Sequence, residues 1–163
     1  MAAILFVCTA NICRSPMAEA VLKARSGGFG PGAEAAFKTV QSAGVHTHPR
    51  GGDAIDARAA AALQRRDCAA GKRWRSRRVQ AEDFERFDLV LAMEARNLEA
   101  LRQLCPAPLQ HKLRLLLDFV PGQEGQDVPD PYFGTAAGFD HVLGLIEQGV
   151  QGLGEAWRTG RLR

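Results

Sequence analysis

"AAILFVC", residues 2–8, is an unbroken apolar run that stops at a polar loop. Strands with one wet face alternate apolar and polar residues, so an unbroken run requires a strand buried on both faces. A parallel sheet covered by helices on each side meets that requirement. The segment behind the loop agrees: "SPMAEAVLKARSG" (15–27) has serine in capping position, proline at the first helical position and glycine at its end. These signals predict a helix.

The alternation of strand and helix continues along the chain. "AFKTVQSAG" (36–44) predicts a second strand, "DLVLAM" (88–93) a third, and "HKLRLLLDF" (111–119) contains a fourth. Between them, "AIDARAAAALQRRD" (54–67) and "EARNLEALRQL" (94–104) read as helices and "AEDFERF" (81–87) as a short helical turn. A loop rich in Pro, Gly and Asp spans 120–134. After it, Phe139, Val142, Leu143, Ile146, Val150, Leu153 and Trp157 recur at steps of three and four, as in an amphipathic helix. The expected architecture is α/β in three layers, a four-stranded parallel β-sheet flanked by α-helices. Ligands of such sheets bind beyond the carboxyl ends of the strands. Cys8 to Ser15, between strand 1 and helix 1, occupies that position.

At 163 residues and 46% hydrophobic content, the chain suits one domain, 1–163. No apolar run reaches the roughly 18 residues of a membrane span. The N-terminus lacks a basic leader and a cleavage site, so no signal peptide is expected and the expected location is cytoplasmic. Membrane insertion is not expected. A net charge of +3 is too small to imply nucleic-acid binding, although "KRWRSRR" (72–78) concentrates five basic residues in seven. The plain reading is a solvated basic loop; the alternative is a collar for an acidic or phosphorylated partner. No recognition motif for nucleic acid accompanies the run.

The four cysteines, Cys8, Cys13, Cys68 and Cys105, are too sparse for a disulfide framework. A zinc site is poorly supported as well, because Cys8 and Cys13 find no paired arm beyond His46 and His48. Reduced thiols fit better, and the loop between the first two gives a reason. A strand–loop–helix junction presents unpaired N–H groups and the positive end of a helix dipole, a ready anion site. Arg14 adds a planar fork that holds two phosphate oxygens at once. A thiol there lies in a positive field that favours the thiolate. Taken alone, Cys8 is a small buried residue at the end of a core strand. The C-x5-R-S-P spacing, placed after a strand and before a helix, reverses that reading.

"VCTANICRSP" resembles the active-site loop of the low-molecular-weight protein-tyrosine phosphatases. The resemblance continues through "SAG" (42–44), "AEDFERFDLVLAMEARNLEAL" (81–101) and "VPDPYFG" (128–134). It implies the four-stranded sheet, chemistry without metal or cofactor, and a cysteinyl-phosphate intermediate. By position it implies Cys8 as nucleophile, Arg14 as phosphate clamp and Asp130 as general acid, with Asp127 as a nearby competitor. Thr9, Ala10, Asn11, Ile12, Cys13 and Ser15 would form the phosphate-binding loop and its support. In that set Ser15 steadies the thiolate and Asn11 braces a left-handed turn. Cys13 would be a redox partner able to form a protective disulfide with Cys8. The implied substrate is a phosphotyrosine-containing protein, with a bacterial tyrosine autokinase of polysaccharide export as the suggested partner.

Three positions depart from the family pattern. His48 stands where a pocket aromatic is usual, Phe133 replaces a second tyrosine beside Tyr132, and Trp74 replaces a histidine. His48, Tyr132 and Phe133 are the expected pocket wall, with a solvated loop position as the equal alternative for His48, and Trp74 leaves part of the hydrogen-bond network behind the loop open. Two rival readings remain: an arsenate reductase of similar fold, which needs a late pair of shuttling cysteines, and a non-catalytic phosphocysteine carrier or phosphoprotein-binding module.

Overall fold

The computed structural model describes residues 2–162. Four strands, β1 (Ile4–Cys8), β2 (Val40–Gly44), β3 (Leu89–Ala92) and β4 (Leu113–Leu115), form one sheet in the order β2-β1-β3-β4. Every pairing is parallel. The helices are α1 (Arg14–Arg25), α2 (Ala33–Ala36), α3 (Ala57–Arg65), α4 (Asp83–Arg86), α5 (Ala95–Leu104) and α6 (Ala136–Arg158), with 3-10 turns at Ser26–Phe29, Ala107–Lys112 and Leu116–Phe119. No helix among the described residues is long and apolar enough to cross a membrane.

The opening run behaves as its composition requires. Ile4, Phe6 and Cys8 enter a core built with α1, α3 and α6, whereas Leu5 and Val7 enter a second core with α4 and α5. One strand therefore feeds both hydrophobic layers, which is why none of its residues is polar. Because β1 is followed by β2 on one side and later by β3 on the other, the strand order reverses beside β1. The crevice at that reversal lies beyond the end of β1 and is where open sheets of this kind bind ligands.

Several predicted boundaries move, each for a local reason. Helix α1 starts at Arg14, with Cys13 as its N-cap and no side-chain cap. Ser15 is thus inside the first turn, and Pro16 is its third residue rather than its first. Proline is still tolerated there, since the first-turn amides have no intrahelical partner. The second strand begins at Val40 because Ala36 closes α2. The fourth is only Leu113–Leu115. Asp118 then accepts the Leu115 and Gly125 amides at 3.1 and 2.9 Å and folds the backbone into a turn. That turn turns Leu116 and Leu117 into the core beneath α6. Helix α6 buries Phe139, Val142, Leu143, Ile146, Val150 and Leu153 as expected. Gly152 lets it approach this turn closely: a β-carbon there would lie 2.1 Å from the Phe119 carbonyl oxygen.

Candidate active site

The loop Thr9–Cys13 leaves β1 and enters α1 beyond the carboxyl ends of β1 and β2. Its turn is made at Asn11, whose φ of 59° is in the left-handed region. Asparagine adopts that conformation more readily than most residues, and its side chain repays the strain three times. Oδ1 accepts the Arg77 amide at 2.9 Å. Nδ2 donates to Ser15 Oγ at 2.8 Å and to Ser42 Oγ at 3.0 Å. The loop backbone is also pinned: Val45 and His46 amides donate to the carbonyls of Cys8 and Thr9 at 3.0 and 2.8 Å. Gly44, the glycine of "SAG", makes this possible, for a β-carbon there would sit 2.7 Å from the Thr9 carbonyl oxygen.

Cys8 Sγ lies 2.9 Å from Ser15 Oγ. Since that oxygen already accepts from Asn11, its own hydrogen is free for the sulfur, with the Ala43 carbonyl a longer alternative at 3.4 Å. The chain of bonds continues inward. Ser42 Oγ donates to Glu19 Oε1 at 2.6 Å, and Glu19 also takes Trp74 Nε1 at 3.1 Å and Lys23 Nζ at 2.6 Å. Trp74, which leaves part of this network open in the sequence, takes part in it: its indole N–H donates to the buried Glu19 carboxylate.

Arg14 is buried, 2% exposed, and both terminal nitrogens of its fork face acceptors. Nη1 donates to the Val128 carbonyl at 2.9 Å and faces Glu94 Oε2 at 3.2 Å. Nη2 reaches Thr9 Oγ1 at 3.4 Å and stands 3.8 Å from Asp130 Oδ2. Asn97 Nδ2 donates to the same Thr9 hydroxyl at 3.1 Å. A buried guanidinium set against a carboxylate is held in one orientation. Asp130 is about half exposed, and its other oxygen accepts the Tyr132 amide at 3.0 Å. Asp127 is engaged elsewhere, accepting the Ala95 amide at 2.8 Å at the start of α5.

A cavity of about 240 Å3 collects these groups; Cys8, Thr9, Ala10, Ile12, Cys13, Arg14, Asp130 and Tyr132 line it. Asn11 and Ser15 lie behind it, fully buried. Two expected wall residues are not among its lining. His48 is exposed and its Nδ1 accepts the Arg50 amide at 3.1 Å, an interaction local to its own turn. Phe133 is 96% exposed and packs edge-on to Tyr132 at 5.0 Å between ring centres. Cys13 is buried, and its thiol is pushed up to about 12 by that burial, by Asp56 and by the neighbouring Cys8 and Asp130. All four cysteines are free. No cluster of three or more His, Cys, Asp or Glu side chains among the described residues is placed to hold a metal.

Sequence reasoning missed Glu94, Asn97 and Glu19. Glu94 had one usable signal, its position just past the third strand, at the edge of the sheet where ligands bind. Glu19 had only its placement within the first helix.

The arrangement presents a sulfur, a guanidinium and a carboxyl group to one anion-sized space. A family profile described as low molecular weight phosphotyrosine protein phosphatase matches residues 3–160. A low molecular weight protein-tyrosine-phosphatase of Streptomyces coelicolor is 40% identical over 153 residues, covering 92% of this chain and 90% of the relative. A protein tyrosine phosphatase from Entamoeba histolytica, solved with Hepes in the active site, superposes with a TM-score of 0.86 at 30% identity over 99% of both chains. An arginine phosphatase from Geobacillus stearothermophilus gives 0.83 at 30% identity, over 99% of this chain and 96% of that one. With the profile spanning nearly the whole chain, and the same fold carried by relatives of matching length, this protein is an enzyme that belongs to the low molecular weight phosphotyrosine protein phosphatase family.

Proposed function

We propose that this enzyme hydrolyses phosphotyrosine in proteins through a phosphocysteine formed on Cys8. The single observation that carries the reading is the convergence of Cys8, Arg14 and Asp130 on one cavity. The phosphoryl group enters with its oxygens toward Arg14 and the amides at the start of α1, which spread the charge that builds up in transfer. The Cys8 sulfur attacks phosphorus as the bond to the tyrosine oxygen breaks. Asp130 gives its proton to the departing phenolate, whose conjugate acid has a pKa of about 10. Asp130, now ionised, takes a proton from the water that attacks the phosphocysteine, returning the thiolate and releasing phosphate. Ser15 steadies the sulfur in both of its anionic stages.

The substrate side is read from the walls. Ile12 and Tyr132 are among the cavity's lining and suit a flat aromatic ring. A structural relative that acts on phosphoarginine makes that group the second reading; a guanidinium beside Ile12 and Tyr132 would have Asp130 as its one carboxylate in the cavity lining. The protein substrate is a tyrosine-phosphorylated protein, with a tyrosine autokinase as the partner to test first. The reading places the enzyme in the cytoplasm, where thiols stay reduced. Cys13, which lines the same cavity as Cys8, is the proposed redox partner of that sulfur.

Neither rival reading gains support. Cys68 packs in the core under α1 and α3, and Cys105 in the core on the other side of the sheet, so they do not form a shuttling pair. A carrier would have no use for an acid poised beside Arg14. The deciding experiment is turnover of phosphotyrosine and phosphoarginine peptides by the wild type and by Cys8→Ser. The expected result is turnover of the first peptide only, abolished in the variant while the peptide still binds. More than a few per cent of residual activity would remove Cys8 from the nucleophile's role.

A further inference from the structure

The reaction as described leaves one ion pair without a task, and it lies between the two halves of the site. Asp56 begins α3, its Oδ1 accepting the Arg58 amide at 2.8 Å. Its own amide donates to the Ile12 carbonyl at 2.9 Å, so the start of α3 is fastened to the phosphate loop. Arg58 faces the other way. Its Nε and Nη2 take the two Asp56 oxygens at 3.1 and 2.9 Å, while Nη1 donates to the Gly134 carbonyl at 3.2 Å. The guanidinium also lies 5.4 Å from the centre of the Tyr132 ring and 4.5 Å from that of Phe139. Arg58 thus meets the loop that carries Asp130 at the Gly134 carbonyl and over the Tyr132 ring.

That loop has few other holds. Among the described residues, the Arg58–Gly134 bond is the one hydrogen bond joining residues 129–134 to the rest of the protein. The others within it are internal, Tyr132 amide to Asp130 and Gly134 amide to Pro131. Asp130 itself meets Arg14 only at 3.8 Å. Burial is of little help, since of these six residues only Pro131 is buried. We infer that Arg58 is a positioning residue which, clamped by Asp56 to the phosphate loop, holds the 129–134 loop over the cavity and so sets where the Asp130 carboxyl stands. Arginine suits the task because its planar fork serves a carboxylate on one edge and a carbonyl on the other. Lysine has one nitrogen for both.

The inference rests on Asp130 being the general acid, and the test separates the two. A series of aryl phosphates with leaving phenols from about pKa 7 to about 10 is hydrolysed by the wild type, Asp130→Ala, Arg58→Ala, Arg58→Lys and the Arg58→Ala/Asp130→Ala double variant. A misplaced acid costs most where the leaving group needs a proton. In kcat/KM, which reports the transfer to Cys8 and not the later hydrolysis, Arg58→Ala should therefore lose about 10- to 100-fold on the poorest leaving group, and no more than about 2-fold on the best. Arg58→Lys should fall in the same direction by a smaller factor, and it serves as the sole probe if the alanine variant does not fold. In the double variant Arg58→Ala should add nothing, because there is no acid left to place. An equal loss on every substrate, no loss at all, or full additivity in the double variant overturns the role of Arg58. If Asp130→Ala itself shows no dependence on the leaving group, the reading of Asp130 fails and the inference falls with it. Steep dependence in Asp130→Ala beside wild-type behaviour in both Arg58 variants sinks the inference alone.

Discussion

The two sides of the cavity are built differently. On the side of Cys8 the polar groups are buried and paired in sequence, from Ser15 through Asn11 and Ser42 to Glu19. On the side of Asp130 the loop is exposed and held by one hydrogen bond from Arg58 and by Pro131. The contrast matches the work each side has in the proposed reaction. Stabilising charge in transfer requires dipoles fixed beforehand, because reorganising them would cost energy at the moment of reaction. Delivering a proton requires a group that reaches the leaving atom and then withdraws to let the phenol go and a water come in, and short loops with few buried contacts supply such motion. On the proposed reading, one enzyme thus pairs a rigid anion cradle with a lightly tethered acid.

The comparison is broken most severely on the lightly held side. Asp130→Ala should slow hydrolysis of unactivated aryl phosphates by roughly 10²–10⁴-fold and of activated ones much less. Values of kcat/KM on both substrate types check this, because they report the transfer to Cys8 alone, and an equal loss on both would assign Asp130 another task. Asp127→Ala in the same assay should leave both rates near wild type, since that carboxylate serves the start of α5; a larger effect from Asp127 would reverse the assignment.

On the rigid side the pattern of loss should differ in kind. Asn11→Ala removes three hydrogen bonds and puts a β-branchless but still strained residue at φ 59°. Each lost bond is worth about 1 kcal/mol and the strain about 1–2 kcal/mol. The melting temperature should drop, and kcat should fall by one factor for good and poor leaving groups alike, with weaker inhibition by inorganic phosphate. A loss confined to poor leaving groups would show that the cradle and the acid are not separate devices.

The smallest effect sharpens the picture at high pH. Cys13 is neutral in the folded protein until about 12, against an ordinary value of 9.0. The unfolded chain therefore releases this proton first, and stability present below pH 9.0 is lost progressively as pH rises toward about 12. Urea midpoints measured across that window should decline less steeply in Cys13→Ser. Identical slopes would mean that Cys13 does not carry the buried thiol's share of the alkaline loss.

The readable parts of this molecule were those that depend on near neighbours in the chain. The unbroken run 2–8 announces a two-sided strand because both faces really are covered, and the recurrence from Phe139 to Leu153 announces α6. Cys8 and Arg14 share one loop, so their spacing carries information. Glu94 and Asp130 meet Arg14 from distant parts of the chain; Asp130 was legible through the family resemblance, and Glu94 was not. Ser15 looked like a helix cap because a cap and a thiol's hydrogen-bond donor require the same side chain. His48 and Phe133 were placed on the pocket wall by position alone, and the turn of the backbone sends both toward solvent. Trp74 looked like the loss of a polar partner, yet an indole N–H donates as well as an imidazole N–H does.

The way β1 divides its residues between two cores has a consequence for the reactive sulfur. Side chains of a strand alternate between faces, so a residue's face is decided by whether its position is odd or even. Ile4, Phe6 and Cys8 share a face, and that face is the one covered by α1, from which Ser15 comes. Deleting or inserting one residue between Ile4 and Cys8 would leave the strand just as apolar and just as able to pair. It would also deliver the thiol to the opposite face, among the residues that pack with α5 and out of reach of Ser15. The even separation between Ile4 and Cys8 is therefore as much a part of the proposed catalytic apparatus as the cysteine.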